Sequence, residues 1–272
     1  MQYQINSNNI IDRFSSITKS GSAERTSDKY SFIPTSRVIS VLEKHNWYPV
    51  LAGEMKCRDE KRRGFQKHIV KFRNNSVTMN NQDKMQPEII LTNSHDGFAS
   101  FCIQSGLYRF VCGNGLIVAD STFSKHSIRH RGYTDQAVSL AIDEICDSVP
   151  LIGSKVNDFQ TIELTKDEKG IFAMAALTAK YGEEALAERD FDVDLLLEPT
   201  RRADKAPVLW DTFNTVQEKL LKGGRFEHKE TGNYYRRKTV VKSRGVNSIP
   251  ENIRINKALW LLTEKMAELK TT

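Results

Sequence analysis

The stretch Lys67-His-Ile-Val-Lys-Phe-Arg73, followed by Glu88-Ile-Ile-Leu-Thr92 and Phe98-Ala-Ser-Phe-Cys-Ile103, decides the fold. Each is a short run rich in β-branched and aromatic residues, and each is bounded by turn formers: Asn74-Asn75, Asn80-Asn81, Asp96-Gly97. Working outward, Tyr48 to Leu51, Leu107 to Cys112 and Leu116 to Ala119 have the same character, with Ser105-Gly106 and Gly113-Asn114-Gly115 as further breakers. Loops this short cannot hold the helical crossover that parallel strands require, so the strands form an antiparallel meander.

The second half is helical in pattern. Gln136 to Val149 places Ala137, Leu140, Ala141, Ile145 and Val149 on one broad face, and Pro150 is expected to stop it. Thr165-Lys-Asp-Glu168 is a capping box opening a helix through Lys180, ended by Gly182. Trp210, Phe213, Val216 and Leu220 mark a helix closed by Gly223-Gly224, and a last helix runs from about Ile255 to Lys270. An earlier helix, capped by Thr35, carries Val38, Ile39, Val41 and Leu42 to about His45. The expectation is an α+β fold: an antiparallel sheet (meander) in the first half covered by helices from the second half. Residues 1–31 form a polar, partly flexible arm, and residues 32–272 one domain with a long basic loop at 222–246.

Composition excludes several classes. Apolar runs such as Ile171 to Leu177 fall well short of the roughly 20 residues that span a bilayer, so no membrane partner is expected. The N-terminus, Met1-Gln-Tyr-Gln-Ile-Asn-Ser-Asn-Asn9, has neither a basic nor an apolar leader region, which points to a cytoplasmic protein. Cys57, Cys102, Cys112 and Cys146 are widely spaced, without a C-x-x-C pair, and Cys102 and Cys112 read as small apolar strand residues. No metal or other cofactor is expected, and homo-oligomerisation is left open.

Charge is the functional signal. Between Lys222 and Val246 lie Lys222, Arg225, Lys229, Arg236, Arg237, Lys238, Lys242 and Arg244 against Glu227 and Glu230, a surplus equal to the +6 of the whole chain. Phe226, Tyr234 and Tyr235 are interleaved with these cations, a combination that binds single-stranded nucleic acid by neutralising phosphates and stacking bases. A solvated loop is the plain alternative. A second cluster surrounds the strand His68 to Arg73, whose alternation points His68, Val70 and Phe72 one way and Lys67, Ile69, Lys71 and Arg73 the other. That strand is either a basic face extending the track through Lys71 and Arg73 or an edge strand guarded by lysines.

Other constellations are weaker. His126-Ser-Ile-Arg-His130 has the spacing of a helical zinc site, but its polar, glycine-bounded surroundings suggest loop; Arg129 and Arg131 fit better as additions to a basic groove. Asn93-Ser-His-Asp96-Gly97 pairs an imidazole with a carboxylate, as a metal-dependent nuclease would, yet its residue types favour a turn. The pair Arg201-Arg202 suits forked contacts with phosphate, or internal bridging to Asp204 or Glu198.

Four blocks carry a family resemblance: Ile89-Ile-Leu-Thr-Asn-Ser-His-Asp-Gly97, Tyr108-Arg-Phe-Val-Cys-Gly-Asn-Gly-Leu116, Leu209-Trp-Asp-Thr-Phe-Asn-Thr-Val-Gln-Glu-Lys-Leu-Leu-Lys-Gly-Gly224 and Arg254-Ile-Asn-Lys-Ala-Leu-Trp260. From about Tyr30 to its end the chain resembles the YfjQ/YafZ-type phage/plasmid-like proteins. The resemblance implies a prophage or plasmid setting in bacteria and supplies no catalytic residues. The sequence reading is therefore a non-enzymatic DNA-binding protein of a mobile element, with single-stranded DNA favoured and a part in recombination, annealing or replication. Its competitors are an anti-defence or anti-restriction protein docking on a host factor and, third, a metal-dependent nuclease.

Overall fold

The computed structural model describes residues 10–74, 76, 85–109, 114–117, 125–128, 134–231 and 237–271. It is α+β, and the chain divides into two compact units, Met1–Pro150 and Leu151–Thr272.

The first unit is built on a six-stranded antiparallel sheet. Strands β1 (Tyr48–Glu54), β2 (His68–Arg73), β3 (Met85–Asn93), β4 (Phe101–Arg109) and β5 (Asn114–Ile117) follow one another as a meander. A sixth, β6 (Lys125–Ile128), pairs with the first half of β4 while β5 pairs with the second half. Two expectations are corrected here. Ser105-Gly106 does not break the chain into two strands, because Gly106 lies within β4, opposite Glu88 on one side and Ile117 on the other. The segment 126–131, read as loop, begins as strand, since β4 still has an open edge that β6 fills.

Alternation sets the core. Val70, Phe72, Ile89, Leu91, Phe101 and Ile103 cluster with Ile11 and Ile17 of the N-terminal arm and with Trp47. Helix α2 (Thr35–Lys44) contributes Val38, Ile39 and Leu42, following the short α1 (Ser15–Thr18), and Ile142 and Ile145 come from α3 (Asp135–Thr161). Full burial of such side chains stabilises by about 1.5–3 kcal/mol each. Thr35 does not cap α2 with its hydroxyl; Pro34 is the capping residue and the Thr35 side chain turns inward. Nor does α3 stop at Pro150. A proline removes one backbone donor, and the buried Ile142, Ile145, Ile152 and Val156 on either side hold the helix through it.

In the second unit α4 (Lys166–Tyr181) opens on the expected capping box, with Glu168 N–H donating to Thr165 Oγ1 at 3.3 Å and Thr165 N–H to Glu168 Oε2 at 2.7 Å. Gly182, at φ +81°, ends it. Helices α5 (Glu183–Glu188) and α6 (Val193–Leu197) follow, then the central α7 (Leu209–Lys222) and the terminal α8 (Ile249–Thr271). All of Leu209 to Leu221 is buried, polar positions included. Those polar groups find partners inside: Gln217 donates to Asn256 Oδ1 at 2.7 Å, Asn214 to the Trp210 carbonyl at 2.7 Å, and Asp211 accepts from Ala206 N–H at 2.9 Å. Trp210, Phe213 and Trp260 pack together beside them. The α8 helix starts six residues before the expected Ile255, with Pro250 in its first turn, where a missing N–H costs nothing. Among the described residues no helix is long and apolar enough to cross a membrane.

Candidate nucleic-acid interface

The basic segment is not a loop. Its residues form a β-hairpin, β8 (Arg225–Thr231) and β9 (Arg237–Lys242), with the two-residue β7 (Asp190–Phe191) on the outer side of β8. Strand pairing wins because the base of the hairpin is anchored from within. Gly223, at φ +82°, turns the chain out of α7 where a Cβ would collide with the Ser243 carbonyl oxygen. Phe226 is fully buried near Phe191, so it is a core residue and not the stacking ring its sequence neighbours suggested.

Glu227, only 3% exposed, accepts two hydrogen bonds from the Arg189 guanidinium (3.0 and 2.7 Å) and one from the Ser243 hydroxyl (3.0 Å). Its carboxyl is held below the usual range, first by Arg189. His228 Nε2 lies 2.9 Å from Asp192 Oδ2. These contacts fix one side of the hairpin to the body and leave its cations outside.

The predicted contact residues divide into four groups. Arg225, Lys229, Lys242 and Arg244 are exposed; Arg225 donates to the Val240 carbonyl at 3.0 Å, and Lys229 stands 3.9 Å from Glu227. Lys222 and Lys238 reach solvent too but carry local partners, Glu218 at 3.2 Å and Asp190 at 2.7 Å, and Asp190 raises the Lys238 ammonium pKa. Tyr234, Tyr235, Arg236, Arg129 and Arg131, with the Arg237 side chain, lie outside the described residues.

The fourth group, Lys71 and Arg73, is a correction. Their strand is interior to the sheet, between β1 and β3, and so is not an edge. Arg73 lies opposite Glu88 in register; the fully buried Glu88 carboxylate accepts from Arg73 Nε on Oε1 at 2.9 Å, and Lys71 Nζ forms an ion pair with its Oε2 at 3.5 Å. The Arg73 guanidinium also sits 3.4 Å from the Tyr108 ring centre. A carboxylate out of water needs these cations, so the half-buried pair is committed to an interior acid and not laid out as a phosphate track.

At the base of the hairpin is a concavity that the sequence did not announce. Glu218, near the end of α7, accepts from Thr200 Oγ1 (3.0 Å), Arg201 Nε (3.0 Å) and Nη2 (2.6 Å), and Lys222 Nζ (3.2 Å). Burial pushes the Glu218 pKa up, but Arg201 and Lys222 outweigh it and the carboxyl stays below its ordinary value. Beside it Lys219, 7% exposed, gives its ammonium to the carbonyls of Leu195 and Glu198, and burial lowers its pKa. Arg201 thus bridges to Glu218. The sequence signal for this site was the Arg201-Arg202 pair; a buried lysine such as Lys219 gives none.

Asn93 to Asp96, ahead of the exposed Gly97, form a buried hydrogen-bond knot. Asp96 Oδ2 accepts Arg62 Nε and Nη2 (3.1 and 2.8 Å), and its Oδ1 accepts the Phe98 N–H (3.1 Å). His68 Nδ1 faces the Gln66 carbonyl at 3.2 Å and therefore carries the proton, so its Nε2 accepts from Thr35 Oγ1 at 2.8 Å. The same hydroxyl oxygen accepts from Asn93 Nδ2 at 3.0 Å and lies 3.4 Å from His95 Nε2. Among the described residues no three His, Cys, Asp or Glu side chains gather to hold a metal ion. His126 lies in β6, and His130 is outside the described residues.

The family model described as domain of unknown function DUF932 matches residues 23–260, nearly the whole of both units. The chain belongs to this family. Two proteins of Escherichia coli strain K12 are similar along most of their length: UPF0380 protein YfjQ, 30% identical, and UPF0380 protein YafZ, 31% identical, each over 243 residues covering 89% of this chain and 84% of the relative. No solved structure matches. The matched span of this DUF932 member includes the hairpin and the concavity at its base.

Proposed function

We propose that this protein binds DNA without catalysis, single-stranded DNA in the first place, through the β8–β9 hairpin. The observation that carries the reading is Arg225 standing directly across from Lys242 in the register of the two strands. Like charges directly opposite destabilise a strand pair, and both side chains are exposed, so neither offsets an interior acid. Lys229 in β8 and Arg244, two residues past the end of β9, add exposed cations, while Glu227, one of the segment's two acids, is buried and spent on Arg189. A two-stranded ribbon can follow a phosphate backbone, and Tyr234-Tyr235-Arg236, between the strands in sequence, supplies rings for stacking bases. The resemblance to YfjQ/YafZ-type proteins implies a prophage or plasmid setting, and to that the proposal adds a part as an accessory to recombination, annealing or replication.

Fluorescence anisotropy with a labelled oligonucleotide at several salt concentrations tests this. Four neutralised phosphates on a single strand give a log–log slope of about −3. Replacing Arg225 and Lys242 with Gln lowers the slope magnitude by about 1.4 and weakens binding across sequences. Affinity unchanged by that double variant, or by Ala at Arg236, Arg237 and Lys238, overturns the reading. Stoichiometric capture of one acidic protein that survives nuclease treatment transfers the hairpin to the host-factor reading.

A further inference from the structure

The concavity beside the hairpin, about 460 Å³, is lined among others by Thr200, Arg201, Glu218, Lys219, Lys222 and Arg225. We infer that it is a phosphate-binding subsite which takes a terminal phosphomonoester of a polynucleotide; for the polynucleotide this rests on the DNA-binding reading, for the phosphate it does not.

Three features carry the inference. The first is sign. Arg201, Lys219, Lys222 and Arg225 line the cavity against two carboxylates, Glu198 and Glu218, a surplus of two positive charges. A phosphomonoester carries close to two negative charges at neutral pH, whereas an internal phosphodiester carries one.

The second is preorganisation. Glu218 takes Arg201 through two N–H groups and Lys222 through one, so both cations are positioned before any ligand arrives. The Lys219 ammonium is held by the backbone carbonyls of Leu195 and Glu198, which carry no net charge, with the Glu198 and Glu218 carboxylates near enough to favour its charged form. Arginine's planar fork and lysine's point charge together form the donor set by which phosphates are bound.

The third is place. Arg225 is at once the first residue of β8 and part of the cavity wall. A strand lying along the hairpin therefore meets the cavity at the hairpin's base. A concavity suits an end, where the chain need not continue past the phosphate; a ribbon suits the internal backbone.

Two measurements on the full chain test the inference. Anisotropy compares one oligonucleotide with a 5′-phosphate, a 3′-phosphate or only hydroxyl ends. Isothermal titration with inorganic pyrophosphate asks for the phosphate site without any polynucleotide. Expected are a preference of about tenfold, the effect of about 1.4 kcal/mol, for one phosphorylated end over the hydroxyl-ended strand, and loss of that ratio in Lys222→Gln. Lys229→Gln, on the hairpin, weakens all the oligonucleotides alike and leaves the ratio. Equal affinities for phosphorylated and hydroxyl ends, or a ratio that survives in Lys222→Gln and Arg225→Gln, overturn it. If no oligonucleotide binds, the DNA reading fails by itself; pyrophosphate heat that disappears in Lys222→Gln then supports a site for a free phosphate, and no heat removes the subsite as well.

Discussion

Acid should loosen the first unit through His68. The imidazole is fully buried between Thr35 and the Gln66 carbonyl. Burial pushes its pKa down to about 4, against smaller upward effects of the Gln66 hydrogen bond and of Asp96. In the unfolded chain a histidine titrates near 6.5. Between about pH 6.5 and 4 the unfolded state therefore binds a proton that the folded state refuses, and stability falls as pH falls through that window. Above it the contribution is fully present.

The two pKa values differ by about 2.5 units, worth about 3 kcal/mol in all, of which about 2 kcal/mol is lost between pH 7 and pH 5. Protonation also takes away the Nε2 lone pair that accepts from Thr35, so the cost has a structural locus. Urea unfolding read by hydrogen exchange of peptides from β2 and β3 measures it. Wild type should lose about 2 kcal/mol between pH 7 and 5, and His68→Gln, whose amide oxygen can replace Nε2, should lose much less over the same interval. Carboxylates held below their ordinary values, such as Glu218 and Glu227, are lost at lower pH and are common to both proteins. Equal losses in the two proteins would refute the assignment.

Three further outcomes follow from packing. Gly223→Ala should destabilise the second unit by several kcal/mol, about the scale of a severe core substitution, because both the positive φ and the Ser243 carbonyl oppose a Cβ; a thermal melt reads it. Glu88→Gln should cost about 3 kcal/mol, the low end for breaking a buried pair since Lys71 and Arg73 keep some water, as measured by urea midpoint; a neutral result would mean those cations have other support. Asn256→Leu leaves the buried Gln217 amide without its acceptor and should cost about 1–3 kcal/mol in the same assay.

What the sequence disclosed depended on how local the determining contact was. The strand from His68 to Arg73 was legible to the residue because its alternation is the cause of its geometry. The capping box at Thr165 and the turn at Gly182 were legible because both partners lie within a few residues. Thr35 misled because its hydroxyl serves His68 and Asn93, 33 and 58 residues away. The hairpin was hidden for the same reason. Charged residues at 225–242 carry little strand propensity of their own, and pairing is enforced by Phe226 and Glu227 reaching back to Phe191 and Arg189.

The two basic strands show where charge counting stops and register begins. Arg73 and Arg225 are the same residue type in equally cationic surroundings, and composition alone cannot separate them. Register can. Arg73 faces Glu88 across the sheet, so its charge is consumed inside the protein, whereas Arg225 faces Lys242, so no acid across the strand consumes its charge. A cation opposite an anion is explained by folding; a cation opposite a cation opposes folding and calls for an anion from elsewhere. That difference makes the hairpin the place to look for a polyanion. It also makes the exchange Lys242→Glu informative: it should raise stability by a few tenths to 1 kcal/mol, as a cross-strand pair forms with Arg225, while reducing DNA affinity. A variant that gains stability and binds DNA as before would place the phosphate contacts somewhere other than this ribbon.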